Sequence, residues 1–364
     1  MKRGKAPTLE DIARQAGVSA MSASVVLNGA RSSTRVSLDT RTRIIEAAEE
    51  LGYRANQVAR SLSRRRMDTI GIVAVIESDE INVYFLEVLN GLLEAIARCG
   101  QNATIFSIQK WEQDENRVLQ FCDGRIDGVI LLAPNPSQKF VASIPQHTPF
   151  VSIHSDNFVS RIKNIEADNE GGAYSMVQYL ISKGHRRIMH ITGGEDRLGA
   201  RERVQGYLRA LREAGIPEDP SLTIAGYFHA RIGRETIHRL IENRHRIPLP
   251  TAIFCASDMI ALGCLEALTA HGVRVPEDIS IAGFDDNIMA RMSVPPLTTV
   301  RQPFREMGHW AVETLLQQIQ GEAPLYYTEG EADSPTAFTD RFPAELIIRE
   351  SVGVAPHAEA FAVR

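Results

Sequence analysis

The first 54 residues carry apolar positions at the spacing of three short helices. In the first helix, one face collects the apolar residues Leu9, Ile12, Ala13 and Ala16. Thr8 stands where an N-cap is needed, acidic residues follow it in the first turn, and Gly17 ends the stretch. We therefore expect a helix from about residue 9 to residue 16.

A second and a third helix follow after short turns. Ser19 is the expected N-cap of the second helix and Ser37 that of the third, while Asn28-Gly29 and Gly52 end them. The inward-facing residues are Ala23, Val26 and Leu27 in the second helix, and Ile44, Ile45, Ala48 and Leu51 in the third. Two helices joined at a glycine predict a helix-turn-helix within an all-α head, with a small packing domain as the alternative.

From residue 69 onward, strand-like apolar runs alternate with amphipathic stretches. Strands are expected at Thr69–Ile76, Ala103–Ile108, Asp127–Leu132, Phe150–Ile153, Arg187–Ile191, Ala252–Cys255, Ile279–Gly283, Thr298–Arg301 and Glu345–Ile348. Helices are expected at Phe85–Arg98, Gly171–Ser182, Val204–Ala214 and Met259–His271. This alternation predicts an α/β core of parallel sheets with crossover helices. A break near residues 164–168 divides it into two doubly wound parallel-sheet lobes with a cleft between them.

The 364-residue chain has a formal net charge of -5, which is divided unevenly along its length. Residues 1–66 carry 13 Lys and Arg against 6 Asp and Glu, a net charge of +7, whereas the remainder carries -12. A basic head on an acidic body suits a protein whose one end neutralises phosphates. The basic segment Arg31–Arg35, directly after the second helix, adds phosphate donors. The charge pattern therefore favours nucleic acid binding by the head.

Composition disfavours several other classes of protein. No run of about 18 apolar residues could span a bilayer, and the N-terminal residues lack the apolar core of a secretory signal. We therefore expect a cytoplasmic protein without a membrane partner. The scattered cysteines suit reduced core residues better than disulfides or metal ligands, so no metal site and no cofactor are expected; they are Cys99, Cys122, Cys255 and Cys264. Phosphate-loop, nucleophile-elbow and metal-ligand motifs are missing, which argues against an enzyme.

Short blocks along nearly the whole chain, from about residue 7 to residue 349, resemble the lac repressor and purine repressor family of transcription regulators. The blocks in the head are Thr8–Ala13, Val18-Ser19, Val26–Gly29 and Val58–Leu62. The blocks in the core are Lys183–His185, Arg203–Tyr207, Pro276–Ser280, Gly283–Asp286 and Pro296–Val300. So many ordered blocks argue against chance similarity. The resemblance implies a helix-turn-helix head on a core like that of periplasmic sugar-binding proteins.

The resemblance also implies that the second helix enters the major groove of DNA. The positions expected to read base edges are Ala20, Met21 and Val25, all apolar here. Apolar groups can contact a thymine methyl but cannot form the paired hydrogen bonds that select guanine or adenine. Short polar side chains able to reach phosphates are Ser19, Ser22, Ser24 and Asn28. The DNA-binding set expected in the head is completed by Thr8, Arg35 and Tyr53.

After the head, residues 56–62 match the hinge helix of the family. Asn56 is its expected cap, and Leu62 matches the leucine that wedges into the minor groove at the operator centre. Val58 and Ala59 are placed to pack two hinges together. The alternative is a flexible basic linker.

In the core, the resemblance implies a small effector held between the lobes. Arg203 and Asp285 match the effector-contacting arginine and aspartate of the family, and Tyr84-Phe85 matches an aromatic pair that can stack on a ring. A guanidinium fork and a carboxylate can share the hydroxyls of a ligand in a dry cleft. The further candidates are His154 and Asp258.

Each of these residues also has a purely structural alternative. Asp285 could lie in a turn, and Asp258 could cap the helix that follows it. The residues that could simply belong to the core are Tyr84, Phe85 and His154.

The expected organisation comprises a head, a hinge, a two-lobed core and a tail. The ranges are 1–54 for the head, 55–66 for the hinge and linker, 67–349 for the effector-binding core and 350–364 for the tail. Within the core, the N-lobe is expected at about 67–165 and 295–321, and the C-lobe at about 166–294 and 343–349. Residues 321–342 are longer than the usual family connection, and no function is assigned to them.

We predict a sequence-specific transcription regulator, a repressor that binds a palindromic double-stranded DNA operator as a homodimer. A small effector, a carbohydrate or a derivative of one, is expected to control its operator affinity. The alternatives that use the same core are a solute-binding protein and a sugar- or nucleotide-processing enzyme. The basic head opposes the first alternative, and the missing catalytic base and nucleophile oppose the second.

Leu62→Ala should weaken binding to operator DNA by about tenfold or more, because a buried leucine contributes roughly 1.5–3 kcal/mol. Binding to random DNA should change little, since it rests on phosphate contacts alone. Both affinities are to be measured at one salt concentration, with Ser63→Ala as the control. Equal loss on both DNAs would show that Leu62 is only a linker residue.

Overall fold

The computed structural model describes residues 7–28, 35–54, 66–75, 83–157, 161–246, 248–323 and 338–356. Two compact units are distinguished. One comprises Met1–Thr69 with Phe121–Asp127, and the other comprises Ile70–Gln120 with Gly128–Arg364. Across the described ranges, no helix is both long and apolar enough to cross a membrane.

Three helices build the first unit, α1 (Leu9–Ala16), α2 (Ala20–Asn28) and α3 (Leu38–Glu50). Thr8 and Asp11 cap α1 reciprocally: the Asp11 amide donates to the Thr8 hydroxyl (3.3 Å), and the Thr8 amide donates to the Asp11 carboxylate (3.0 Å). Gly17 ends α1 in the left-handed conformation, with φ of 67°. The N-cap and the stop expected from the sequence are thus confirmed.

Ser19 and Ser37 begin the next two helices as expected. The Ser22 amide donates to the Ser19 hydroxyl (3.1 Å), and the Thr40 amide donates to that of Ser37 (3.2 Å). The small core among the helices consists of Ile12, Ala13, Ala16, Ala23, Ile44, Ala47 and Ala48. The expectation that Ile45 faces inward is wrong. Its side chain is 41% exposed, because the helical turn brings Ala47 rather than Ile45 onto the face of Ile44.

A six-stranded sheet lies at one end of the second unit. Its strands are β1 (Thr69–Val75), β2 (Asn102–Ile108), β3 (Gly128–Leu132), β4 (Phe150–Ile153), β5 (Lys163–Ala167) and β11 (Thr339–Phe342). They are ordered β11-β5-β4-β3-β1-β2, and β11, β5, β4, β3 and β1 pair in parallel. The accompanying helices are α4 (Val83–Arg98), α5 (Trp111–Gln120), α6 (Gln138–Ser143) and α12 (Phe304–Gln320). Buried β3 is apolar throughout, as expected of a strand covered on both faces.

The second parallel sheet has the order β7-β6-β8-β9. Its strands are β6 (Ile188–Ile191), β7 (Thr223–Ile224), β8 (Ala252–Cys255) and β9 (Ser280–Ala282). The helices of this half are α7 (Asn169–Ser182), α8 (Leu198–Glu213), α9 (Ala230–Glu242), α10 (Asp258–Ala270) and α11 (Ile288–Met292). A three-helix head and a core with two parallel sheets confirm the fold class expected from the sequence. The halves that contain the first and second sheets are called here the first and second lobes.

Two strands depart from the expected division of the core. Strand β10 (Thr299–Arg301) was expected in the first lobe, but it pairs antiparallel with β12 (Glu345–Ile347). Parallel bridges join Thr298 to Ala282 and Arg301 to Asp285, so β10 lies beside the second sheet. Strand β11 was not expected at all, because its residues form no apolar run. It is recruited by parallel pairing with β5, which the sequence of β11 alone cannot reveal.

One boundary also differs. Residues 67–69 and 121–127, expected in the first lobe, fall in the unit that contains the head. The Asp127 carboxylate accepts the amides of Met67 (2.8 Å) and Thr69 (3.4 Å), which ties these segments together. The other domain boundaries stay a prediction.

Glycines allow neighbouring helices to cross at close range. A Cβ atom at Gly263 would collide with the Ala230 carbonyl, and one at Gly233 with the Ile260 carbonyl, so α9 and α10 meet backbone to backbone. Gly206 plays the same part where α8 crosses α7. Gly91 of α4 and Gly308 of α12 do the same in the first lobe, so each lobe has closely packed helices that leave no room for an added methyl group.

Gly263→Ala should destabilise the protein by about 1–3 kcal/mol, because the new methyl must push α9 away from α10. Thermal unfolding should show a transition lowered by several degrees. Ala270→Ser, on the exposed end of the same helix, is the matched control and should leave the transition in place. An unchanged transition in Gly263→Ala would contradict this account of the crossing.

Candidate functional site

A cavity of about 230 Å³ lies where the two sheets present the carboxyl ends of their strands. Such an edge is where open parallel sheets usually bind ligands, because loops and helix N-termini converge there. The described residues that line it are Val75, Val83, Tyr84, Phe85, Leu132, Ala133, His154, Asp156, Glu166, Asn169, Arg197, Gly199, Ala200, Arg203, Tyr227, Phe228, His229, Ser257, Met259, Asp285, Asn287 and Gln302. The expected effector residues among them are Tyr84, Phe85, His154, Arg203 and Asp285. Asp258 is not.

Arg203 is buried in the wall of the cavity and fixed on every side. Its Nε donates to Asn169 Oδ1 (3.0 Å), and its NH1 donates to the Ala256 carbonyl and lies 3.9 Å from Asp285 Oδ1. The guanidinium plane stacks at 3.8 Å on the ring of Phe284. The guanidinium therefore reaches the ligand space in one orientation.

Asp285 is held in a strained backbone conformation, with φ of 129°. Its amide donates to the Val300 carbonyl (2.7 Å), and its carboxylate accepts Gln302 Nε2 (2.6 Å). Burial raises the pKa of Asp285 to about 6, although Arg203 and Gln302 act in the opposite direction. Strain and burial of a carboxylate together are typical of a binding position rather than of an ordinary turn.

Tyr84 and His154 form one polar pair on the opposite wall. The Tyr84 hydroxyl lies 2.7 Å from His154 Nδ1, and the Tyr84 ring packs edge-on against Phe304. Burial, reinforced by the nearby Arg203 charge, lowers the pKa of His154 to about 3, so its imidazole is neutral. His154 Nε2 is buried without a hydrogen-bond partner among the described residues. The pair can therefore offer a ligand aromatic surface and one unused nitrogen.

Asp258 does not line the cavity, and its side chain instead stabilises the fold. Its carboxylate accepts the Thr299 hydroxyl (2.5 Å) and the Asn287 amide (2.9 Å), which ties α10 to β10 and to the loop before α11. The cap of α10 is Ser257, whose hydroxyl accepts the Ile260 amide (3.3 Å). The expectation that Asp258 binds the effector is therefore not supported by its position, and its alternative role as N-cap is wrong by one residue.

The polar lining residues that sequence reasoning missed include Asp156, Glu166, Asn169, Arg197 and Gln302. Asp156 and Gln302 follow strands that the sequence predicts, and a search of strand ends would have found them. Glu166 and Asn169 lie at the predicted break between the lobes. No signal in the sequence marks Arg197, whose role depends on a partner far away in the chain.

Two contacts beside the cavity join the first lobe to the second. Asp156, after β4, accepts Arg197 NH1 (2.9 Å) and the Leu198 amide (2.9 Å) and so caps the N-terminus of α8. Arg341, on β11, pairs with Glu202 of α8. The lobes are thus linked by ion pairs at the same edge where a ligand would lie.

The expected DNA-binding residues of the head differ in exposure. Met21 is 59% exposed, while Val25 is half-buried. Asn28 is only 5% exposed and donates to the Ser24 hydroxyl (3.4 Å), and its contact with a phosphate stays a prediction. The other exposed positions are Thr8, Ser19, Ala20 and Arg35, and the other half-buried ones are Ser22, Ser24 and Tyr53. The hinge positions outside the described residues are Asn56, Val58, Ala59 and Leu62.

Comparisons with known proteins identify relatives of both the head and the core. A model of bacterial regulatory proteins of the lacI family matches residues 8–56, and one of a periplasmic binding protein-like domain matches residues 177–352. The HTH-type transcriptional repressor PurR of Vibrio atlanticus (strain LGP32) is 33% identical over 316 residues, which cover 86% of this chain and 92% of that protein. The ribose operon repressor of Haemophilus influenzae is 35% identical over 327 residues, covering 88% and 94%.

Solved structures show the same likeness. The lac repressor dimer bound to operator and the anti-inducer ONPF is 26% identical, with a TM-score of 0.80 and coverage of 96% of this chain and 100% of that one. The transcriptional regulator CelR in complex with cellobiose is 30% identical, with a TM-score of 0.67 and coverage of 95% and 99%. The helix-turn-helix head, the two-lobed core and the sequence identities all point to the same family. The chain therefore belongs to the lacI family of bacterial regulatory proteins.

Proposed function

We propose that this regulator is a repressor whose affinity for operator DNA is set by a small carbohydrate in the cavity of its core. The observation that carries the proposal is the pair Arg203 and Asp285, buried 3.9 Å apart and aimed into a cavity with aromatic walls. Because operators lie on the chromosome, the protein acts in the cytoplasm. The relatives named above are repressors rather than enzymes or transport proteins, which favours this reading over both alternatives.

On the DNA side, α2 lies in the major groove and reads bases mainly through apolar contacts. Ala20 and exposed Met21 suit thymine methyl groups, and Val25 contributes from its half-buried position. Ser19 and Arg35 hold phosphates, while the hinge residues around Leu62 wedge into the minor groove. Such a surface obtains its affinity from phosphates and its selectivity from shape and methyl groups.

On the effector side, the cavity supplies what a sugar ring needs. Asp285 accepts ring hydroxyls, Arg203 donates to them, and Tyr84 and Phe228 offer apolar faces for the ring carbons. The relatives point to sugars as well, since one is a ribose operon repressor and another was solved with cellobiose. Purine repressors among the relatives make a purine the second candidate.

A second copy of the chain is the proposed partner in solution. The described surface carries four exposed large apolar residues within seven positions, on α11 and the turn after it; they are Ile288, Met289, Met292 and Val294. Such a patch is unfavourable in a monomer. A two-fold pairing through it would match a palindromic operator.

The effector acts through the lobes. A ligand that bonds to residues of both lobes adds to the Asp156–Arg197 and Arg341–Glu202 contacts and so selects one lobe orientation. In a dimer, that orientation sets the spacing of the two chain segments that lead to the heads. Effector and operator affinities are therefore coupled, each altering the other by the same factor.

Asp285→Ala should leave operator binding intact but abolish its response to the effector, since it removes a charged hydrogen-bond acceptor from the cavity and nothing from the head. Operator affinity is to be measured with and without sugars and purines, with Glu195→Ala, an exposed change outside the cavity, as the control. A normal response in both Asp285→Ala and Arg203→Ala would defeat the assignment.

Met292→Asp combined with Val294→Asp should convert the dimer into a monomer, because two carboxylates would be buried in an apolar contact. Sedimentation should report the halved mass, and operator affinity should fall at least tenfold, since the heads are no longer linked. Ser182→Asp adds a charge to the exposed end of α7 and serves as the control. A double variant that remains dimeric would place the interface elsewhere.

A further inference from the structure

Glu166, at the end of β5, is a buried carboxyl group of the cavity that is bonded to amides rather than to a cation. Its side chain is 1% exposed, its Oε2 accepts Asn164 Nδ2 (3.2 Å) and its Oε1 accepts Asn169 Nδ2 (3.1 Å). His154 Nε2 lies 3.7 Å from Oε1, but that imidazole is neutral. None of these partners carries a positive charge, so an ionised Glu166 would have no counter-charge among them.

The guanidinium of Arg341, whose charge acts on this carboxyl, is already engaged. Arg341 pairs with Glu202, and the Glu202 carboxylate in turn accepts Asn169 Nδ2 (3.3 Å). Burial first, and then the charge of Glu202, raise the pKa of Glu166 to about 8, against the smaller opposing effects of the two amides and Arg341. At pH 7 Glu166 is therefore a neutral acid with a hydrogen to donate.

The remaining charges of the cavity cancel in pairs. Arg197 binds Asp156 at 2.9 Å, and Arg203 lies 3.9 Å from Asp285. Among the described lining residues, these two arginines are the permanently charged cations, and each is matched by a carboxylate. The described walls therefore hold no excess positive charge for a ligand.

This charge balance decides which ligands can enter. A phosphate or carboxylate group would lose its hydration in the cavity without meeting an uncompensated cation, which costs several kcal/mol in general. A neutral hydroxyl finds partners instead: within the part of the chain that the structure describes, Gln302 Oε1 and His154 Nε2 have no hydrogen bond of ordinary geometry, and Glu166 can donate. Hydroxyl groups therefore relieve unsatisfied polar atoms, whereas an anion would create a new one.

We propose that the cavity takes an uncharged, polyhydroxylated ring, that it excludes phosphorylated and carboxylated forms of the same ring, and that Glu166 supplies a hydrogen to a ligand hydroxyl. This inference rests on the proposed function, since it concerns the effector of the same cavity. It predicts that free sugars or nucleosides bind in the cavity, whereas the sugar phosphates and nucleotides made from them are excluded.

The first test compares matched pairs of compounds by thermal shift on the full-length protein at pH 7 and constant ionic strength. The pairs are ribose and ribose 5-phosphate, glucose and glucose 6-phosphate, glucose and glucuronate, and inosine and inosine monophosphate, with inorganic phosphate as the ionic control. At least one uncharged member should raise the unfolding temperature, and its anionic counterpart should bind at least about tenfold more weakly.

The outcomes separate this inference from the function on which it rests. An anionic compound that stabilises the protein as much as its uncharged counterpart, and loses that effect in Asp285→Ala, overturns the inference but leaves the function standing. Stabilisation by an uncharged compound that persists in Asp285→Ala counts against the proposed site. A panel in which no uncharged compound binds contradicts the inference.

The second test needs no effector. Because a glutamate titrates near 4.3 when unfolded, the raised pKa of Glu166 costs the wild-type fold stability as pH rises from about 5 to about 8. Glu166→Gln has no proton to lose. Its unfolding temperature relative to wild type should therefore climb by several degrees over this range and then level off. Glu313→Gln, exposed on α12, is the control and should not climb.

A constant difference between Glu166→Gln and wild type from pH 5 to pH 8 would overturn the inference, since Glu166 would then be ionised in the fold at pH 7. Should the glutamine variant fail to fold, the infrared carbonyl band of a protonated carboxylic acid gives the same answer, measured in wild type and in Asp258→Asn because burial raises the pKa of Asp258 as well. Its loss between pH 7 and pH 9 supports a neutral Glu166. Its absence at pH 7 contradicts it.

Discussion

The buried guanidinium of Arg203 is the interaction on which the cavity depends. Removing a cation from water costs several kcal/mol unless partners replace the lost hydration. Here Asn169 at the start of α7, the carbonyl after β8 and Asp285 after β9 supply that replacement, and the Phe284 ring covers the flat face. Segments distant in the chain are thus held together by one charge. Any substitution of Arg203 therefore removes a ligand contact and a structural centre at once, so its effects are harder to interpret than those of Asp285.

Close helix crossings explain how such a site can transmit a signal. Because Gly91 and Gly308 in the first lobe, and Gly206, Gly233 and Gly263 in the second, bring helix backbones into contact, each lobe resists internal deformation. Movement is then confined to the joins between lobes, where Asp156, Arg197, Glu202 and Arg341 form the ion pairs. A ligand bridging the lobes biases a rigid rotation rather than a local rearrangement, which is what the control of a distant head requires.

Much of this architecture follows from residues that are neighbours in the sequence. The remainder depends on pairing between segments that are distant in the chain. The caps Thr8, Ser19 and Ser37 and the apolar strands were predictable because the responsible residues are neighbours in the chain. Strand β11 was not, because it exists only through its pairing with β5. The family resemblance led to Arg203 and Asp285, whereas Glu166 was missed, since its chemistry comes from Glu202, Asn169 and burial, none of which a linear pattern displays. Asp258 looked available in the sequence but is engaged by hydrogen bonds within the fold, and Asn28 is largely buried.

The cap that Asp156 places on α8 links lobe opening to the integrity of a helix. When the lobes separate, the Leu198 amide loses its acceptor and the positive end of the helix loses its counter-charge. The first turn of α8 then frays more readily. Exchange of the Leu198 amide hydrogen with solvent would consequently follow the fraction of time that the lobes spend apart. The rate of this exchange therefore reports the population of the open state.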